Sequence, residues 1–167
     1  MKRQTRKNVF ETNSSSVHTI TISKHAYNRT NVPNTLVFEY GEFGWGIDTL
    51  DTPEEKASYL YTAIADRDDR DSIFSMISGA CASVECDAVF GGAKDGFWET
   101  GYIDHSEELG RFVDTVLDSD DTLLRYLFGD GAIYLYNDNL SGDVLRDIQE
   151  NLDTISETDY IIITKKN

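Results

Sequence analysis

The chain has 167 residues, a formal net charge of −15, 40% hydrophobic residues and 11% aromatic residues. That length suits one domain burying roughly two-thirds of its unfolded surface, and the apolar content excludes a disordered acidic tail. Two cysteines without a C-x-x-C pair support neither a disulfide framework nor a zinc site, and no apolar run spans a bilayer or follows the N-terminal basic residues as a signal peptide would; the expected home is a reducing cytoplasm.

Residues 1–7 read as a basic tail carrying Lys2, Arg3, Arg6 and Lys7, ahead of a single domain over 8–167. The stretch from Val9 to Ile22 holds the densest set of potentially functional side chains. Asn13, Ser14, Ser15 and Ser16 offer donors and acceptors that hold a turn open, and with the turn's unpaired amides they make a cradle for a phosphate or carboxylate. The same run also serves as a plain turn whose hydroxyls satisfy local backbone groups. His18 then alternates with Ile20 and Ile22 on one strand face, while Val17, Thr19 and Thr21 take the other. A lone histidine beside two isoleucines is more often a hydrogen-bonded core residue than a catalyst.

Lys24 to Asn34 reads as a loop, and Thr35 to Tyr40 as a second strand able to pair antiparallel with the first. Gly41 to Gly46 is glycine-rich and aromatic but lacks the context of a nucleotide-binding loop, so Phe43 and Trp45 are expected to cover the core. Thr52, Pro53 and Glu55 form a capping box opening a helix to about Asp66, with Ala57, Leu60, Tyr61 and Ile64 on its inner face. Asp66 to Asp71 alternates charge as a solvated junction, because Arg67 and Arg70 neutralise the carboxylates a cation would need. A second helix is expected over Ser72 to Ala82, a third strand over Ser83 to Phe90, a turn at Gly91 and Gly92, and a return strand from Phe97 to Ile103 with Trp98 and Tyr102 on one side.

Asp104 and His105 follow that strand, where a carboxylate beside an imidazole suits acid and base chemistry as well as helix capping. Ser106 is expected to cap a helix over Glu107 to Leu117, and Ser119 another through Phe128. Ala132 to Tyr136 reads as a strand, Asn137 to Asn139 as a turn, Ser141 or Asp143 as the start of a helix to about Leu152, and Tyr160 to Thr164 as a central strand buried on both faces.

Charge is strongly polarised along the chain. Residues 1–35 hold six Lys or Arg against Glu11 alone, net +5, whereas residues 104–160 hold fifteen acids against three Arg, net −12. An acidic half repels nucleic acid and attracts basic protein surfaces, or it serves solubility alone. Asp114, Asp118, Asp120, Asp121, Asp143 and Asp147 are the candidate partner contacts, spaced on helix faces like a row of phosphates.

The opening RKNVFETNSSSVHTITI resembles the start of a group of uncharacterised bacteriophage and prophage proteins, which begin with a short basic tail followed by FETNSSS, a variable residue and His. A weaker similarity extends to Gly101 to Ser106 and to Tyr136 to Asn139. The resemblance covers about a tenth of the chain, and it implies a phage or prophage origin rather than a particular chemistry.

The expected fold is α+β: one domain with a mixed or mostly antiparallel sheet of about five to six strands and about five helices. The leading functional expectation is a phage-encoded acidic accessory protein of the anti-defence type. It would act in the host cytoplasm by binding, and inhibit or redirect a nucleic-acid-handling host protein through that protein's basic surface. The alternative is a nucleotide- or phosphate-binding protein, or a hydrolase, built on the FETNSSSVH turn with Asn13, Ser14, Ser15, Ser16, His18, Asp104 and His105. That stretch has no G-x-S-x-G elbow, so binding is expected rather than catalysis. The sequence points to no cofactor and no metal. A virion or assembly component, joined head to tail through its two oppositely charged ends, is a third expectation.

Overall fold

The computed structural model describes residues 16–44, 46–93, 101–104, 109–137 and 142–165. In chain order its elements are β1 (Ser16–Ser23), β2 (Thr35–Tyr40), β3 (Glu42–Phe43), β4 (Asp48–Leu50), α1 (Pro53–Ala63), α2 (Arg70–Ala82), β5 (Asp87–Ala93), β6 (Tyr102–Ile103), α3 (Gly110–Val116), α4 (Asp120–Phe128), β7 (Ile133–Asn137), α5 (Gly142–Asp153) and β8 (Tyr160–Lys165). A four-stranded antiparallel sheet runs in the order β4-β7-β1-β8, and two parallel pairs, β2 with β5 and β3 with β6, stand beside it. The chain is a single α+β domain.

All eight residues of β1 are buried, because strands flank both its edges and side chains cover both its faces. Its alternation sends His18, Ile20 and Ile22 to the face covered by α1 and α4. Leu135, Ile133 and Ile163 join them as cross-strand neighbours, opposite His18 and Ile20. Thr19 and Thr21 take the second face, where Leu152 and Ile155, at and just beyond the end of α5, close over them.

Helix α1 is the layer between the large sheet and the β2–β5 pair. Its start is fixed locally: the Thr52 hydroxyl accepts from the Glu55 amide at 3.3 Å, the Glu55 carboxylate accepts from the Thr52 amide at 3.1 Å, and Pro53 occupies the first turn. Such a cap contributes about 1 kcal/mol. Beyond the cap the helix is buried on two sides rather than on one stripe. Toward the sheet lie Lys56 and Tyr59; toward β2 and β5, Tyr61 stacks on Tyr40 at 4.2 Å and meets Phe38, Phe74 and Phe90. The Ser58 hydroxyl donates to the Glu39 carbonyl, and the Thr62 hydroxyl accepts from the Gly41 amide.

Several expectations are corrected. β2 does not pair with β1; it lies parallel to β5 on the far side of α1, because Leu36 and Phe38 find their cover there rather than beside β1. Among the described residues β8 is an edge strand, and β1 lies inside the sheet between β7 and β8. The third strand begins at Asp87 instead of Ser83 and runs through Gly91 and Gly92, since α2 ends in a turn in which the Cys86 amide bonds the Cys81 carbonyl and Glu85 takes φ +63°. α1 stops at Ala63, and α2 starts at Arg70, inside the charged run. Trp45, Trp98, the Gly91-side half of the return strand and the expected Ser106 cap lie outside the described residues.

Candidate functional site

Among the described residues, buried polar side chains gather at the end of β1 where the chain enters the sheet. Ser16 and His18 project from the same strand face, and Lys165 is the cross-strand partner of His18 on β8. Relative exposures of 2% for Ser16, 0% for His18 and 4% for Lys165 show that all three polar side chains are buried. Burying a cation is costly unless oxygen atoms surround it; the Lys165 ammonium donates to the Asp104 carbonyl oxygen.

His18 is held from two directions. Its Nδ1 lies 2.7 Å from the Tyr59 hydroxyl, and the two rings are tilted at 60° with centroids 5.9 Å apart. Burial raises the Tyr59 phenol far above its ordinary range, so the hydroxyl stays protonated, and it donates to or accepts from Nδ1 according to the imidazole tautomer. Phe43 and Phe112 pack edge-on against the Tyr59 ring at 5.1 and 5.4 Å and fix its direction.

On the other side of His18 stands Gly44. A β-carbon there would meet Asp104 Cβ at 2.5 Å and His18 Nε2 at 3.3 Å, and the residue has φ +114°, so glycine alone lets the backbone pass between them. The β3–β6 ladder carries this contact, with the Asp104 amide donating to the Phe43 carbonyl at 2.9 Å. Gly101, at φ +69°, lies so close to Gly41 that a β-carbon would fall 2.4 Å from the Gly41 oxygen. The Tyr102 hydroxyl donates to Asp104 Oδ1 at 3.0 Å and orients that carboxylate.

The structure therefore brings Ser16, His18 and Asp104 of the expected ligand residues into one neighbourhood; Asn13, Ser14, Ser15 and His105 lie outside the described residues. Tyr59, Gly44 and Lys165 were not singled out from sequence. A signal existed for Lys165, which shares parity with Ile161 and Ile163 in YIIITK and so belongs to the same strand face. Ser16 Oγ is buried and has no hydrogen-bond partner among the described residues.

The acidic candidates divide into two groups. Asp114 on α3, Asp118 after it, and Asp120 and Asp121 at the start of α4 are exposed along one edge. Arg67 joins this edge to the charged run, contacting Asp69 at 2.8 Å and Asp114 at 3.8 Å, and Arg125 pairs with Asp121 at 2.9 Å. Asp143 and Asp147 sit on α5, whose C-terminal end covers the opposite sheet face, so the six do not form one row.

No group of three or more His, Cys, Asp or Glu suited to a metal ion occurs among the described residues, and none of their helices is long and apolar enough to cross a membrane. Cys81 and Cys86 are both buried thiols; burial, with Cys86 alongside, pushes Cys81 up to about 12. In comparisons with protein-family models, curated proteins and solved structures, nothing matches this chain.

Proposed function

We propose that the protein binds a small anionic ligand of the nucleotide or other phosphate class at the head of β1. The observation that carries this reading is the buried Ser16 hydroxyl without a hydrogen-bond partner among the described residues, on the same face as buried His18, whose cross-strand neighbour is buried Lys165. A buried polar group left unpaired costs about 1–3 kcal/mol, and a bound phosphate oxygen removes that cost while its charge complements the ammonium. Binding is favoured over hydrolysis because, among the described residues, the Ser16 hydroxyl has no hydrogen bond to a base that would activate it. Thermal unfolding with added inorganic phosphate and adenosine monophosphate tests the reading. The midpoint is expected to rise with ligand concentration in the wild type and to lose that dependence in Ser16→Ala and Lys165→Met.

A second reading keeps the acidic accessory protein of phage origin, acting in the host cytoplasm on a basic host nucleic-acid-handling protein. It is favoured by the Arg67 contacts that gather Asp69 and Asp114 on one edge with Asp118, Asp120 and Asp121. Capture of such a protein, released at moderate salt and lost on neutralising Asp114 and Asp118, is its expected outcome.

A further inference from the structure

Strand β8 pairs with β1 on one side only; among the described residues its outer edge has no strand partner. Protein sheets usually blunt such an edge with proline, charge or a bulge. Tyr160, Ile161, Ile162, Ile163 and Thr164 carry neither proline nor charge, the strand's one charged residue is the buried Lys165 at its end, and the register against β1 runs without a bulge. The edge opens onto a groove of about 570 Å³ between Ile161 and the α3–α4 corner, lined also by Arg111, Asp114, Thr115, Asp118 and Thr122. Register places Ile161 opposite Ile22, which faces the helices, so the groove lies on the helix-covered side of the sheet.

We infer that the outer edge of β8 docks an extended basic segment of a partner protein, which joins the sheet as a fifth strand with its cationic side chains over Asp114 and Asp118. Main-chain pairing supplies affinity for any extended segment, and the pockets beside the edge select alternate side chains. In an added strand every second side chain falls on the groove side. There it meets the exposed carboxylates of Asp114 and Asp118, with Arg111 in the groove and Arg67 3.8 Å from Asp114, and the molecule's net charge of −15 draws a basic chain toward that surface. This inference rests on the acidic-surface reading and gives it a geometry; it is independent of the ligand site at Ser16.

The test uses the full chain and a fluorescein-labelled dodecapeptide of alternating lysine and threonine at low ionic strength, read by anisotropy and by amide hydrogen exchange. Expected is saturable binding that slows exchange of the β8 amides. Affinity should fall about tenfold in D114N/D118N, as for close charge pairs, and stay within about twofold in D143N/D147N, which removes the same charge from α5. Equal weakening by both double variants with no protection of β8 overturns strand addition while leaving a diffuse acidic surface standing. No binding at all overturns both. A dimer whose β8 amides are protected without peptide gives the edge to a second copy and overturns the basic-partner assignment.

Discussion

The Tyr59 hydroxyl lies 2.7 Å from His18 Nδ1, a buried hydrogen bond that joins α1 to the central strand across 41 residues of sequence. Both residues are fully buried, and the tyrosine ring is itself clamped by Phe43 and Phe112. The bond therefore sets the direction of the imidazole. Tyr59→Phe keeps the ring packing and removes only the oxygen, leaving Nδ1 without this partner. A loss of about 1–3 kcal/mol in urea unfolding is expected, and an unchanged midpoint would mean that the imidazole reorients to another partner.

Gly44 holds the backbone between His18 and Asp104. Gly44→Ala combines an unfavourable positive φ with a 2.5 Å approach to Asp104 Cβ, and is expected to cost at least 1–3 kcal/mol, the rough range for local backbone strain. Gly46→Ala is the control, because a β-carbon there meets nothing within 4 Å. Comparable losses from both substitutions would contradict the close approach.

Lys56 gives the stability curve a predictable slope. Its ammonium donates to the Gly129 carbonyl at 2.8 Å, and burial lowers its pKa from 10.5 to about 8, against the opposing pull of Asp51, Asp130 and Glu55. The folded state thus holds this proton more weakly than the unfolded chain. Between pH 8 and 10.5 the unfolded state binds the extra proton, so this contribution to stability rises with pH; below pH 8 the whole penalty is present. At 1.36 kcal/mol per pKa unit the span is about 3 kcal/mol. Lys56→Met should flatten that rise in denaturation series from pH 7 to 10. An offset between variant and wild type that stays constant over the range would contradict the buried titration.

Glu85 occupies the left-handed region at φ +63° in the turn that closes α2, a conformation costing a non-glycine residue roughly 1–2 kcal/mol. Glu85→Gly is expected to stabilise the protein by about 1 kcal/mol or slightly less, after the greater entropy of glycine in the unfolded chain is offset. Differential scanning calorimetry reads this directly, and a lower midpoint would count against the turn.

What the sequence makes legible is local. The Thr52–Glu55 capping box, the Ser119 cap, the span Thr35–Tyr40 and the alternation of His18, Ile20 and Ile22 each follow from neighbours within one turn or one strand. Strand partners depend on which distant layer covers an apolar face. Leu36 and Phe38 look alike whether they pack on β1 or on α1, so the parallel β2–β5 pair was not legible. Lys56 and Lys165 read as surface charges by residue type, yet Lys56 precedes Tyr59 and Leu60 by three and four positions and Lys165 follows Ile163 by two. Neither lysine was singled out from the sequence, although periodicity puts both on the faces that are buried. Asp104 was singled out beside a neighbouring histidine in sequence, whereas its described partners are Tyr102, Lys165 and the backbone at Phe43 and Gly44.

The anion proposed at the head of β1 would lie against Ser16, His18 and Lys165. The most direct measurement is isothermal titration of the full chain with inorganic phosphate and with adenosine monophosphate, repeated on Ser16→Ala. Saturable binding by the wild type and an affinity lowered about tenfold or more in the variant, the loss of roughly one charge-assisted hydrogen bond, is the result expected. Binding that Ser16→Ala leaves unchanged, or no binding of either anion, contradicts the site.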